Sequence, residues 1–476
     1  MATATQARGY KGKVRMMFES EYGVLPADPK AHLLPISSEG LDGGRSQNQK
    51  TTLTGKRSPG RSFAGNMDVS GPLAPDANVH ATGILLKALC GNPVTTAIND
   101  VLNISGSAED LGAGYVKILC AGHGFRPFTQ ITISGSTNYD GIYLVDPKSG
   151  ADDLVIEAFY NAEDFAGTET VRRGAHRKLD AVAAVDKGDG LVGLACSGHG
   201  YLAGSVITVT GSTGYDAQYV VNFASSVNEI VVEKAYAAEV FDGTETVSPK
   251  YFTHLFKLLD EQPSFALECE VPLDGATDNE AFTLFEGCKV SSFSCSSSGD
   301  SQFNFSIDVA GANKRLLAIS AAKTTEEFPD FDFKNADSDL ILNGEYLTSV
   351  TSSSVQISTN LDTSAGYVKG SKGVRKSMPE GAPGVSGSLT AHYKSTALLK
   401  KAAGEVEMDY SMGFVTGANQ LTLNFPQCLI SESGSTPKLS GPQGIVVELQ
   451  LSGFEDHNEY GTCFYAELIN GVSSYT

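Results

Sequence analysis

Two stretches of this chain are one stretch written twice. YVKILCAGHGF at Tyr115–Phe125 lies over LVGLACSGHGY at Leu191–Tyr201, and an offset of 76 residues carries Cys120 to Cys196, His123 to His199, Tyr139 to Tyr215, Glu157 to Glu233 and Thr170 to Thr246 without an insertion. A little under half of the aligned positions are identical, which marks a duplicated unit rather than two separately acquired ones. In each copy short alternating runs, ITISGS (Ile131–Ser136) and VITVTGS (Val206–Ser212), stand between Gly, Asn and Asp turn signals. Each copy therefore reads as a small β module, at 105–173 and 174–249. The intervening RRGAHRKLDAVAAVDKGDG reads as a linker or one brief element.

The repeats contain the residues that most invite a chemical role. Imidazole is a common metal ligand and general base, yet His123 and His199 each sit in GHG at a strand exit, with no Cys- or His-rich set nearby. We read both as turn residues. Tyr139 with Asp140, and Tyr215 with Asp216, recur in the same way and read as a turn plus a core anchor rather than an exposed binding loop.

A second, more diverged duplication frames the repeats. VSGPL (Val69–Leu73) precedes GILLKALCG (Gly83–Gly91), and VSGSL (Val385–Leu389) precedes ALLKKAAG (Ala397–Gly404). Each pair reads as a strand leading into a short helix that stops at glycine; Ile84, Leu85, Ala88 and Leu89 form the apolar stripe of the first. A third block sets Phe285–Gly311 against Phe425–Gly453, which places Cys288 on Cys428. Within it Phe303, Phe305, Ile307 and Val309 alternate with polar residues, as do Val447, Leu449 and Leu451, the pattern of half-buried strands.

The 476 residues exceed what one core usually organises and favour two to four domains. With 41% hydrophobic residues, 19% charged and 51 glycines, the chain is a turn-rich β protein, not a disordered one. A net charge of -20 disfavours tight nucleic-acid binding, which needs clustered cations. The N-terminal MATATQARGYKGKVRMMF lacks an apolar signal core, and no uncharged apolar run approaches about 18 residues. A soluble protein made in the cytosol, with no membrane partner, is expected. The eight cysteines (Cys90, Cys120, Cys196, Cys269, Cys288, Cys295, Cys428, Cys463) show no CxxC pair or zinc spacing and read as buried thiols.

No catalytic, cofactor-binding or metal-binding residues are expected. Glu326, Glu327, Asp330 and Asp332 come nearest to paired carboxylates but read as a solvated charge run, and the absence of Trp argues against a sugar cleft. SSSGD (Ser296–Asp300) and GPQG (Gly441–Gly444) lack the strand, helix and Lys of a phosphate loop.

The order and spacing of the flanking blocks resemble the tail tube proteins of long-tailed bacteriophages, in a version with two tube domains per chain. The first set is GKRSPGRSFAGNMDVSGPL before GILLKALCG, then YFTHLFKLLDEQPSFALECEV, EGCKVSSFSCS and DVAG. The second is ISTNL, GVSGSLTAHYKSTALLKKA, TLNFPQCLIS, GPQGIVVELQLSGF and CFYAELING. The resemblance implies a mainly β fold: two tube-type β-sandwich or barrel domains, each with a short helix, and the two small modules inserted in the first half. The first domain would comprise 1–104 with 250–322, the second 348–476, with 323–347 a connecting segment or arm.

It further implies a structural subunit of the virion tail, assembled in the host cytoplasm, whose strands join those of neighbours into a closed wall that leaves no open edge. Two domains per chain predict a trimeric ring with pseudo-six-fold symmetry. Expected partners are further copies in the ring and the stack, a tape-measure protein inside the tube, tail initiator and terminator proteins, and genome DNA that passes without specific binding. The modules would stand outside the wall, on a non-contractile tail. An acidic lumen would suit DNA passage, although the repeats carry about half of the net negative charge. The alternative, a secreted or surface β-rich adhesin with repeated modules, explains the repeats and the acidity but neither the lack of a signal core nor the older duplication.

Overall fold

The computed structural model describes residues 8–49, 57, 61–99, 101–272, 281–299, 303–364, 366–394, 396–431, 436–437, 444–455 and 460–475. Residues 1–7 of the N-terminal run, Asp300 of SSSGD and Gly441 to Gln443 of GPQG lie outside them. The protein is mainly β, with 33 strands and two α-helices among the described residues.

Strands β1 (Lys13–Phe18), β2 (Lys30–Leu34), β3 (Ile36–Glu39), β4 (Asp42–Asn48) and β5 (Phe63–Pro75) lead into α1 (Ala81–Cys90). β6 (Val94–Ala97) pairs with β20 of the returning chain, ahead of the inserted region. There follow β7 (Leu102–Gly112), β8 (Tyr115–Leu119), β9 (Gln130–Ser134), β10 (Gly141–Leu144), β11 (Asp153–Glu157) and β12 (Asp164–Arg173). The second repeat holds β13 (Arg177–Lys178), β14 (Val185–Gly188), β15 (Leu191–Ala195), β16 (Val206–Thr210), β17 (Ala217–Val220), β18 (Glu229–Glu233) and β19 (Thr246–Lys250). The chain returns through β20 (Phe252–Lys257), β21 (Phe265–Glu270), β22 (Phe282–Ser298), β23 (Phe305–Gly311), β24 (Asn313–Leu317) and β25 (Thr324–Glu326). It ends with β26 (Ser338–Leu342), β27 (Glu345–Tyr346), β28 (Val350–Ser358), β29 (Gly384–His392), α2 (Ala397–Ala403), β30 (Met408–Thr416), β31 (Asn419–Ile430), β32 (Val446–Phe454) and β33 (Tyr465–Asn470).

The flanking halves repeat one another pair by pair. β5 meets β23 with Val69↔Gly311 and Leu73↔Ile307, and β29 meets β32 with Val385↔Gly453 and Leu389↔Leu449. β22 meets β23 at Lys289↔Ala310, as β31 meets β32 at Leu429↔Ser452. β21 places Phe265 opposite Cys288, and β30 places Met408 opposite Cys428, so the two cysteines occupy one position in two ladders. β4 pairs β5 at Gly43↔Val69 where β28 pairs β29 at Ile357↔Val385. Because a one-residue slip would turn every side chain to the opposite face, a shared register across four ladders is a demanding match.

The segment 323–347, expected as a connecting segment or arm, carries three paired strands. β25 adds to β2 in parallel, and β26 pairs β30 with Leu342↔Tyr410 as β1 pairs β21 with Met16↔Leu267. β26 and β27 thus take the place in the second half that β1 and β2 take in the first. The apolar faces of both halves merge into one cluster, in which Phe303 stacks on Phe414 at 3.9 Å. The halves therefore share a core rather than each closing its own.

Each repeat has a core of its own, around Tyr139 and around Tyr215. The first is one six-stranded sheet; the second divides into sheets of four and three strands. Pairing explains the difference. Val171 and Val247 are 76 apart, but their partners Leu102 and Arg177 are 75 apart, so the second copy has one extra residue before Ala184, the counterpart of Ala108. The strand breaks there into β13 and β14, with Leu179 and Ala184 buried. The stretch read as a linker or one brief element carries the end of β12 followed by β13 and β14, which open the second repeat. All eight cysteines are free thiols, Cys463 half-buried and the others buried.

Phe425 is fully buried against Tyr410 and Phe464. Phe425→Ala is expected to cost about 3–5 kcal/mol in denaturant unfolding, whereas Phe63→Ala, at an exposed position, should cost less than about 0.5 kcal/mol.

Candidate functional site

The two GHG motifs are turn locks. The Phe125 N–H donates to His123 Nδ1 (3.0 Å), so the proton sits on Nε2, which donates to the Gly150 carbonyl at 2.8 Å. His199 repeats this with the Tyr201 N–H (2.9 Å) and the Ser226 carbonyl (2.6 Å). Burial pushes the His199 pKa down, favouring the neutral ring this arrangement needs. Both nitrogens of each ring are occupied by backbone. The flanking glycines have φ between +60° and +68°, where a side chain would be strained.

Tyr139 and Tyr215 are fully buried, and their hydroxyls donate at 2.6 Å to the carbonyls of Asn161 and Ala237. Asp140 and Asp216 accept the N–H groups of Ser136 and Ser212 and close the adjoining turns. These pairs are structural anchors of the modules.

The acidic run is more engaged than a solvated face. Glu326 accepts from His32 (2.8 Å) and Lys30 (2.9 Å), and its carboxyl is held down at about 2, chiefly by the His32 hydrogen bond. Asp332 accepts from Asn78, and burial raises its pKa. Among the described residues no group of three or more His, Cys, Asp or Glu is placed to hold a metal ion.

The surface most distinctive in chemistry was not singled out from the sequence. β4, β5, β23, the second half of β22, β28, β29, β32 and the end of β31 lie side by side in one sheet. Its outer face is laid out in rows across the strands. One runs Ser306, Ser294, Gln356, Ser386, Ser452; the next Ser296, Ser354, Ser388, Gln450; a third Ser298, Ser352, Thr390, Glu448. Asp308 accepts from Ser292 at 2.7 Å, and Ser354 and Ser388 lie 2.8 Å apart. No Lys or Arg stands in these rows. The alternate residues, Phe293, Ile307, Ile357, Val385 and Leu451, point into the core. FSCSSS and SSSVQIS carried the signal as alternating serines, but only the register aligns them into rows.

The inserted bodies dock elsewhere. Arg126 pairs with Asp339 and donates to Ser411 Oγ (2.6 Å); Arg173 donates to the Ala418 carbonyl, and the Gln130 N–H to that of Gly417. The second repeat meets the end of β33, where the Val206 N–H donates to the Gly471 carbonyl at 2.8 Å. The modules therefore sit on the β30–β31 turn, on Asp339 of β26 and on the end of β33.

The chain is thus a mainly β protein of paired ladders whose repeat histidines and tyrosines are held in structural hydrogen bonds. Residues 9–453 match the family model described as phage tail tube protein, and the chain belongs to that family. No curated protein matches it. No helix among the described residues is long and apolar enough to cross a membrane.

Glu326 yields a pH test. Its folded-state pKa lies below the ordinary 4.5, so its contribution to stability is complete above that value and is lost as pH falls towards about 2. Glu326→Gln should flatten the fall in thermal midpoint across that window while leaving the midpoint's slope near neutrality unchanged, as read by calorimetry.

Proposed function

We propose that the chain is the repeating subunit of the tail tube wall, that it carries two tube-type units, and that three chains close one ring with pseudo-six-fold symmetry. The first unit comprises β1–β5, α1 and β21–β24; the second comprises β26–β33 with α2. The observation that carries this reading is the shared register of the two halves, together with the ladder joining them. β22 of the first unit pairs β28 of the second from Ser292↔Ser358 to Ser298↔Ser352. Repeating that junction between chains brings the sheet edge at the end of β31 to the β3–β4 edge of the next copy. Ring closure then leaves no edge exposed to uncontrolled pairing.

In such a ring the hydroxyl rows face the lumen, since the opposite face of the same sheet is core. A lining of short hydroxyls with Asp308 and Glu448, and no cation in the rows, repels phosphates rather than holding them. Stacked rings then form the conduit for genome ejection in the virion tail, built in the host cytoplasm around a tape-measure protein between initiator and terminator proteins. The subunit performs no catalysis. The tandem modules project outward as display or stabilising bodies, and their bulk would obstruct a contractile sheath, which favours a non-contractile tail.

Negative-stain microscopy of the concentrated protein, with mass measurement of any discrete ring, tests the proposal. Hollow tubes, or rings of three chains with knobs outside, are expected. Six chains per ring would overturn the three-fold assignment, and a persistent monomer even with initiator proteins would return the adhesin reading.

Deleting residues 105–247 and rejoining the flanks should leave tubes that assemble without knobs. Asp339, relieved of Arg126, would then face water rather than a buried interface. Failure of the shortened chain to fold would overturn the division into units and insert.

A further inference from the structure

Where the end of the first repeat meets the sheet of the second, beside the chain between β6 and β7, lies a cleft of about 390 Å³. Arg172, His176, Thr208, Gln218, Lys250 and Tyr251 are among the residues that line it, and no described Asp or Glu does. Equivalent rows of the two repeats face each other here. Arg172, Thr132 and Ile142 form one across β12, β9 and β10, and Ser248, Thr208 and Gln218 form the other across β19, β16 and β17. Lys250, two residues beyond Ser248 on β19, shares the face of the second row.

His176 joins the rows. Its N–H donates to Thr132 Oγ1 (3.0 Å), its Nδ1 lies 2.9 Å from Ser248 Oγ, and its Nε2 lies 3.3 Å from the Arg173 carbonyl. A carbonyl only accepts, so Nε2 holds the proton, and burial with the nearby Arg172 guanidinium pushes the ring's pKa down to about 4. The cations are less well provided for. Arg173 turns to the Phe125 ring and the Ala418 carbonyl, so its neighbour Arg172 faces the other way, where its buried Nε has no hydrogen-bond partner. Arg172 and Lys250 are both half-buried, and among the described residues neither forms an ion pair.

The module fold does not require these cations. The second repeat has Ser248 where the first has Arg172, the first has Gly174 where the second has Lys250, and each keeps its core. Holding two partly desolvated cations in one cleft without a carboxylate costs free energy that a bound anion would offset.

We infer that this cleft binds a small oxyanion of the phosphate class, held by the Arg172 guanidinium and the Lys250 ammonium with Thr208 and Gln218 as neutral donors. A guanidinium offers paired N–H donors to two phosphate oxygens, and the ammonium adds a point charge. The net charge of -20 does not prevent this, because exposed charges beyond about 8 Å are largely screened at physiological ionic strength. The bound anion ties both repeats together at one point. The site does not depend on the ring reading above.

Titration calorimetry of the full chain with inorganic phosphate should show one saturable site, and phosphate should raise the thermal midpoint where chloride at equal ionic strength does not. Arg172→Gln and Lys250→Gln should each weaken phosphate binding at least about tenfold without lowering the midpoint measured in chloride. Lys187→Gln, which removes a cation paired with Glu229 elsewhere in the second repeat, should bind phosphate as the wild type does. Tighter binding of glycerol 3-phosphate than of inorganic phosphate would support the site and assign it to the phosphate group of a larger ligand; the reverse order would support it for the free ion. A wild-type chain that responds to phosphate no more than to chloride would overturn the inference whether or not the variants fold, as would binding that persists unweakened in both Arg172→Gln and Lys250→Gln.

Discussion

The architecture depends on one strand that serves two ladders. β22 runs from Phe282 to Ser298; its first half lies between β21 and β24, and its second half between β23 and β28. The register shift between Val290 and Ser292 lets one chain segment turn from the first ladder into the second. Without that bend the serines of its second half could not reach β28, and the two units would have no common sheet. The side chains follow: Phe293 and Cys295 go to the shared core while Ser292, Ser294 and Ser296 go to the opposite face.

The joint also ties the two halves to one another. Phe303 of the first stacks on Phe414 of the second, and Arg375, in the loop between β28 and β29, reaches back to the Gly311 carbonyl and to Asp68. A buried guanidinium is tolerated because its donors are met by carbonyls and a carboxylate. The inserted bodies follow the same physics at a smaller scale. Burial raises the pKa of Asp339 although the Arg126 guanidinium opposes it, and removing either partner of this buried pair would leave an uncompensated polar group where the first repeat meets β26 and β30.

Much of this was legible in the sequence. The 76-residue offset located equivalent histidines and tyrosines, and the turn and anchor roles followed from their glycine and serine neighbours. Alternation at Phe303–Val309 and Val447–Leu451 gave the inward faces, and glycine marked the ends of both helices. The segment 323–347 misled because its acids suggest solvent, while Glu326 is engaged by His32 and Lys30, and the β26–β27 hairpin completes a sheet whose partner lies some seventy residues away.

By itself the sequence determined the β class and the faces of individual strands, because these are local consequences of period and turn chemistry. Tertiary structure decided what lies beside what. The rows of hydroxyls, the single shared core and the division of the second repeat by one extra residue all arise from register between strands far apart in the chain. Register is set by which edges find each other during folding, and alternation within a single strand carries no record of its neighbour.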